Sequence, residues 1–160
     1  MNELVIRRCA PEDNMRVVEL SLEAWAPVFD SFRRMLGEEL YRRVHPDWKL
    51  HQAASVRDAL ERNETWVAVA QGTVVGFVNL IFDVDERSGE IYMIAVDPAA
   101  QQQGVATQLT EHALGEMRAR GLDLATVATG GDPGHMPARR TYEKAGFVGA
   151  PQVWYAKLLR

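Results

Sequence analysis

At 160 residues, 47% hydrophobic and 25% charged, the chain suits one globular domain spanning 1–160 and is too rich in apolar residues for a disordered or fibrous protein. A net charge of −4 withholds the basic footprint that nucleic-acid phosphates require, so no nucleic-acid partner is expected. No apolar run reaches the roughly 20 residues of a membrane span, and no signal-peptide core follows Met1, so the expectation is no membrane association and a cytoplasmic location. A single cysteine, Cys9, cannot form an internal disulfide and reads as a small apolar strand residue; four scattered histidines lack ligand spacing, so no metal site is expected.

The elements follow in chain order. Leu4–Arg8 reads as a strand, and Ala10-Pro11-Glu12-Asp13 as a helix start with Pro and acids in its first turn. Met15, Val18, Leu22 and Trp25 recur at helical spacing up to Pro27, where the first helix is expected to end. A second amphipathic pattern runs from Phe29 to Val44 with a bend near Gly37, and a third helix from Leu50 to Arg62. The period then changes to two. Thr65–Ala70 and Thr73–Phe82 are expected as strands joined by a tight turn at Gln71-Gly72, and Asp83–Gly89 leads through another hairpin into the strand that contains Ile91–Val96. That apolar run predicts a strand buried on both faces. A helix from Gly104 to Gly121, a strand at Leu124–Thr129, a helix opened by Pro137 and closed by Gly146, and final strands at Phe147-Val148 and Val153–Leu159 complete an α+β or mixed α/β arrangement.

The segment EIYMIAVDPAAQQQGVAT, Glu90 to Thr107, concentrates the chemistry. Strand, loop and helix in that order point the unpaired N–H groups of Gln103, Gly104, Val105 and Ala106 out of a helix N-terminus, where the macrodipole favours an anion. No Gly-Lys-Ser/Thr is present, and a single Gly cannot serve as a dinucleotide fingerprint. Gln101-x-x-Gly104-x-Ala106, entered from Val96-Asp97-Pro98, instead resembles the Q/R-x-x-G-x-G/A signature of the GCN5-related N-acetyltransferase (GNAT) superfamily. The resemblance implies acetyl-CoA as co-substrate. Ile94, Ala95 and Val96 would face its pantetheine arm, and Gln101, Gln102, Gln103, Gly104, Val105, Ala106 and Thr107 would cradle its pyrophosphate. It also implies a mostly antiparallel sheet of six to seven strands, with helices on both faces and a splayed pair of central parallel strands.

A second stretch is similar to the same family independently: Ala138, Tyr142, Gly146 and Phe147 fall in register with its N-x-x-A-x-x-x-Y-E/x-x-x-G-F pattern, with His135 near the position where many relatives carry Asn. The resemblance makes Tyr142 the general acid for the leaving thiolate, His135 a cofactor contact, and Glu90, by likeness to the histone acetyltransferase branch, the general base. On simple alternation Glu90 shares a strand face with Tyr92, Ile94 and Val96. Asp132 and His135 acting through water are the other candidates for that proton. The expected reaction is acetyl transfer to a primary amine of a small molecule such as an aminoglycoside-like antibiotic, a polyamine or an amino-acid analogue. A protein N-terminus or lysine as acceptor, or a non-catalytic acyl-CoA-binding module, are the alternatives. Trp25, Phe29, Asp30, Tyr41, Trp48, Trp154 and Tyr155 are candidates for a cationic acceptor site and equally for the core. The apolar Val153–Leu159 segment is compatible with a homodimer.

Overall fold

The computed structural model describes residues 3–160. Strand β1 (Leu4–Arg8) leads through a one-turn 3-10 segment at Pro11–Asp13 into helices α1 (Asn14–Leu36), α2 (Glu38–Val44) and α3 (Trp48–Arg62). There follow β2 (Glu64–Ala70), β3 (Thr73–Asp83), β4 (Ser88–Val96), α4 (Val105–Ala119) and β5 (Leu124–Val127). A 3-10 turn at Pro133–His135 and α5 (Met136–Lys144) come last. The five strands form one sheet in sequence order, antiparallel from β1 to β4 and parallel between β4 and β5.

Alternation along the strands gives the sheet two apolar faces. Trp66, Val78, Leu80, Ile91 and Val96 meet Val105, Leu109, Ala113 and Met117 of α4 on one. Val67, Phe77 and Ala95 meet Val17, Leu20 and Val56 of α1 and α3 on the other. The β2–β3 turn falls at Gln71 and Gly72, whose φ angles of 51° and 77° are those of the expected two-residue hairpin. Polar Asn79 is fully buried on the α3 side, where it donates to Ala59 O and Thr65 Oγ1 and accepts from Asn63, tying the end of α3 to the sheet.

Two expectations change. Helix α1 runs through Pro27 to Leu36. An interior proline costs about 3 kcal/mol, but burial of Val17, Val18 and Leu20 before it and Val28 and Ser31 after it holds both halves in one rod. The break falls instead at Gly37, with φ 75°. The sheet has five strands among the described residues rather than six or seven, so the parallel pair lies at its edge and not at its centre. Neither Phe147-Val148 nor Val153–Leu159 forms a strand. Phe147 packs on the α4-side core, while Val148, Val153, Trp154, Tyr155 and Leu159 lie exposed. β-branched and aromatic residues favour a strand only where a neighbouring ladder and a buried face receive them, and Gly149-Ala150-Pro151 interrupts the segment before it could pair.

The start of α1 rests on one carboxylate. Buried Asp13 accepts from Arg7 through both oxygens and from the Ala10 amide at 2.8 Å. The Arg7 hydrogen bond, with the Ala10 amide assisting against burial, holds its carboxyl below the usual range. A depressed carboxyl contributes stability above its unfolded pKa of about 3.9 and loses it as pH falls through the lower folded value. Asp13→Ala should cost about 1–3 kcal/mol at neutral pH, measured by urea denaturation, with the gap to wild type closing as acid protonates the native carboxylate.

Candidate active site

Strands β4 and β5 pair in parallel only from Ser88↔Leu124 to Ile91↔Val127. One residue later the ladder to β3 shifts: Leu80 faces Ile91 and Asn79 faces Met93, leaving Tyr92 as an extra residue in β4. A bulge bends its strand and increases its twist, and here it sits where β4 and β5 part. Tyr92 is 46% exposed, so β4 is not buried on both faces throughout as the apolar run suggested. The bulge also resets the alternation. Ile91, Val96 and Ile94 pack toward α4 while Met93 and Ala95 pack toward α1 and α3. Glu90, opposite in sense to Ile91, therefore lies on the α1/α3 face with Met93 and Ala95, and not with Ile94 and Val96 as simple alternation predicted.

Beyond the bulge the ladder also fixes where the backbone points. Asp97 N donates to Val75 O at 2.8 Å. Paired residues alternate between bonded and non-bonded in an antiparallel ladder, so Ala95 and Met93 also bond to β3, while the N–H and C=O of Ile94 and Val96 face the side that β5 has vacated. One of these groups is taken internally: Gln101 Nε2 donates to Val96 O at 3.2 Å.

The loop after β4 is shaped by its own side chains. Asp97 Oδ1 accepts from Ala99 N at 2.8 Å, its second oxygen pairs with Arg16 of α1, and Pro98–Ala100 makes one 3-10 turn. Gln102 and Gly104 then adopt φ of 62° and 80°, and Gly104 caps α4. The first helical bond is Gln108 N to Gly104 O, so the amides of Val105, Ala106 and Thr107 have no partner within the helix. A side chain at Gly104 would project into open space, and Gln101–Gly104 are exposed.

At the carboxyl end of β5 the chain folds around a carboxylate–imidazole pair. Asp132, 5% exposed, bonds through Oδ1 to His135 Nδ1, and its Oδ2 is sealed from solvent, with no partner at hydrogen-bond geometry among the described residues. Burial pushes the Asp132 carboxyl up, but the His135 hydrogen bond and charge, with a smaller contribution from the Ser31 hydroxyl, outweigh it and leave the group below its ordinary value. Ser31 also accepts from Gly134 N at 3.3 Å, and Arg139 donates to the carbonyls of Gly130 and Asp132 at 2.6 and 2.7 Å. On α5, Tyr142 is buried edge-on against Phe147, and burial pushes its phenol up to about 12.

The model of the acetyltransferase (GNAT) family matches residues 25–147, more than half of the chain. The chain belongs to the GNAT acetyltransferase family. Among its relatives, mycothiol acetyltransferase from Nocardia farcinica is 34% identical over 118 residues, covering 65% of this chain and 38% of that protein. The one from Beutenbergia cavernae is 43% identical over 64 residues, 40% of this chain and 21% of its own length. The chain thus spans between about a fifth and two-fifths of these curated relatives. PaiA N-acetyltransferase from Thermoplasma acidophilum, solved with coenzyme A, superposes with a TM-score of 0.70 at 18% identity over 91% of this chain and 90% of its own. Aminoglycoside N-acetyltransferase AAC(6')-Iy, also solved with CoA, gives 0.63 at 18% identity over 99% and 96%. At these identities the likeness is one of fold.

Within this GNAT fold Ile94, Ala95, Val96 and Gln101 to Thr107 form one continuous edge-and-loop unit. Only Ile94 and Val96 turn their backbone outward; Ala95 bonds to β3 and buries its side chain. Glu90 stands one residue before the opening, paired laterally with Ile81 and Thr126. His135 and Tyr142 lie beyond the carboxyl end of β5, Tyr142 nearer the α4 side through Phe147 and His135 against α1 through Phe32, at 6.0 Å between ring centroids. Of the candidate acceptor residues, Tyr41 is buried, Phe29 stacks on Trp48 at 4.3 Å, Trp25 packs against the α1/α3 core, and Trp154 and Tyr155 are exposed on the unpaired tail. Cys9 is half-buried, and burial with nearby Asp13 pushes its thiol to about 11, which leaves it a poor nucleophile. Sequence reasoning did not single out Ser31, which nothing but its helix face marks. The Asp-x-x-His spacing across a Pro-initiated turn was the available signal for the Asp132–His135 contact.

Glycines make that contact feasible. A Cβ on Gly130 would collide with Asp132 Oδ1 and His135 Nδ1. Gly130→Ala should therefore force the pair apart at a cost of about 1–3 kcal/mol, measured by denaturant titration. Gly131→Ala, where a Cβ meets nothing, should cost far less.

Proposed function

We propose that this chain is an acetyl-CoA-dependent N-acetyltransferase that moves the acetyl group to a primary amine of a small molecule by direct attack in a ternary complex. The observation that carries the reading is the opening of β4 from β5 at Tyr92, which exposes backbone donors and acceptors of Ile94 and Val96 and runs straight into a loop that ends at a helix N-terminus. Pantetheine is an amide-bearing arm that suits such a vacated edge, and pyrophosphate suits the amides of Gly104 to Thr107 with the dipole of α4 behind them. No Cβ fills the space above Gly104.

Acetyl transfer needs an oxyanion contact while the thiolate leaves and a proton for that thiolate. An amide of the open β4 edge supplies the first. Tyr142 supplies the second: with its phenol raised to about 12 it stays protonated throughout the working range. Glu90 places a carboxylate on the α1/α3 face beside the opening, where an ammonium group would be drawn in. On the same face Trp48 stacks on Phe29, His45 meets Phe29 edge-on and stacks on Phe32, and Phe32 leads to His135, with burial pushing the His45 imidazole below its ordinary value. This apolar wall fits a compact amine better than an extended polypeptide. The cavity of about 440 Å³ at α2 is lined by three cations, Arg33, Arg42 and Lys49, against Glu38 and Asp47, so it is not the acidic pocket a cationic acceptor would choose.

Titration calorimetry with acetyl-CoA, followed by thiol release with a panel of amines, tests the reading. The panel includes the deacetylated form of mycothiol, an aminoglycoside, a polyamine and a peptide N-terminus. Saturable cofactor binding and release of CoA with a small amine are expected; absence of acetyl-CoA binding sinks the reading, and turnover confined to the peptide redirects it to protein acetylation. Tyr142→Phe should lower kcat by about 10²–10⁴-fold while keeping cofactor affinity. Gly104→Glu should weaken acetyl-CoA binding by setting a carboxylate at the pyrophosphate.

A further inference from the structure

We propose that Asp132 and His135 form the base that takes the proton of the acceptor amine, with Asp132 as the positioning residue and His135 Nε2 as the atom that receives the proton. This rests on the acetyl-transfer reading above. Four observations carry it. The carboxylate bonds Nδ1, which fixes the tautomer that leaves Nε2 with a lone pair. Nε2 has no partner among the described residues, and the imidazole remains 19% exposed while the carboxylate beneath it is buried. Two glycines accommodate the pair, since a Cβ on Gly130 would strike it and one on Gly134 would lie 2.9 Å from Asp132 Oδ2 and from Val28 Cα. Lastly, the pair sits beyond the carboxyl end of β5 as the Gln101–Gly104 loop sits beyond that of β4, the two sides of the crevice where ligands of parallel strands lie.

The surroundings keep His135 free for this task. From α1 it meets Phe32, and the Gly134 turn beside it meets Val28 and Ser31, none of them charged. Across Phe32 stands His45, stacked on that ring. From α5, Arg139 donates through Nη1 to the Gly130 and Asp132 carbonyls. Among the described residues, Asp132 is the only charged side chain bonded to the imidazole.

In the step itself the substrate ammonium gives one proton to Nε2, and the freed nitrogen lone pair forms the C–N bond to the thioester carbonyl as the carbonyl π pair moves to oxygen. When the oxyanion collapses the C–S bond breaks, the thiolate takes the Tyr142 proton, and the second nitrogen proton returns to Tyr142. Amide, thiol and one proton on His135 are the products. Glu90 is then left to dock the ammonium rather than to carry its proton.

The test is the pH dependence of kcat with the fastest acceptor of the panel, compared with hydroxylamine, which is uncharged at the assay pH and needs no prior deprotonation. His135→Gln should lower kcat about 100-fold with the alkyl ammonium acceptor, abolish the acidic-side rise of kcat with pH, and leave acetyl-CoA affinity by calorimetry within twofold. With hydroxylamine its loss should shrink to a few-fold. Asp132→Asn should lower kcat in the same acceptor-dependent way with KM unchanged, whereas Glu90→Gln should raise KM for the amine. Equal losses with both acceptors and an intact acidic limb in His135→Gln would overturn the assignment and leave the pair a structural clasp. Failure of wild type to bind acetyl-CoA is a different result, which removes the parent reading and this one with it.

Discussion

The separation of β4 from β5 after Ile91 and Val127 is the constraint on which the rest of the structure depends. A strand deprived of its neighbour carries backbone groups that normally must be paired, and an open edge invites unwanted strand pairing. Here the exposed length is short, twisted by the Tyr92 bulge and partly closed by Gln101 on Val96 O. The apolar side chains around it stay packed against α4 on one face and α1 with α3 on the other. The opening is therefore confined to main-chain groups, and the core is not breached.

Helix α1 holds the two sides of that opening in register. Its first half reaches the β4 side, where Arg16 pairs with Asp97 at the entry to the Gly104 loop. Its second half reaches the β5 side, where Val28 and Ser31 pack on the turn that carries Asp132 and His135. A helix of 23 residues spans about 35 Å, long enough to join both ends as one rigid element. Two helices broken at Pro27 would hinge between them. Continuity through that proline thus belongs to the site as much as to the core.

Sequence periodicity located α3, α4, α5 and the first four strands to within a few residues, because those elements bury a face and the pattern records it, but it broke the first long helix at Pro27 where the chain breaks at Gly37. The Gly104 loop was legible for a different reason, the spacing Gln101-x-x-Gly104-x-Ala106 between a strand and a helix, and the left-handed φ of Gly104 is a physical ground for the glycine in that spacing. What the pattern could not carry was anything decided by pairing. The Tyr92 bulge is invisible in the run Ile91–Val96, yet it moves Glu90 to the opposite face from the one alternation assigns. Val153–Leu159 has the composition of a strand and lacks the ladder. Ser31 and the burial of Asp132 depend on contacts more than a hundred residues apart in sequence, as between Gly134 and Ser31, and no local spacing reports them.

In the proposed mechanism acid and base are kept apart by environment rather than by residue type. Tyr142 lies against Phe147 on the α4 side, where burial alone opposes ionisation and keeps the phenol protonated. Asp132 is also buried, but a hydrogen-bonded imidazole answers its charge and keeps it ionised. The same desolvation thus favours a protonated phenol in one place and leaves an ionised carboxylate in the other, and the presence or absence of one bonded partner decides which. Tyr142 and the carboxylate–imidazole pair approach the end of the sheet from different sides, so in the proposed step the first proton of the ammonium and the proton delivered to the thiolate are held by different groups.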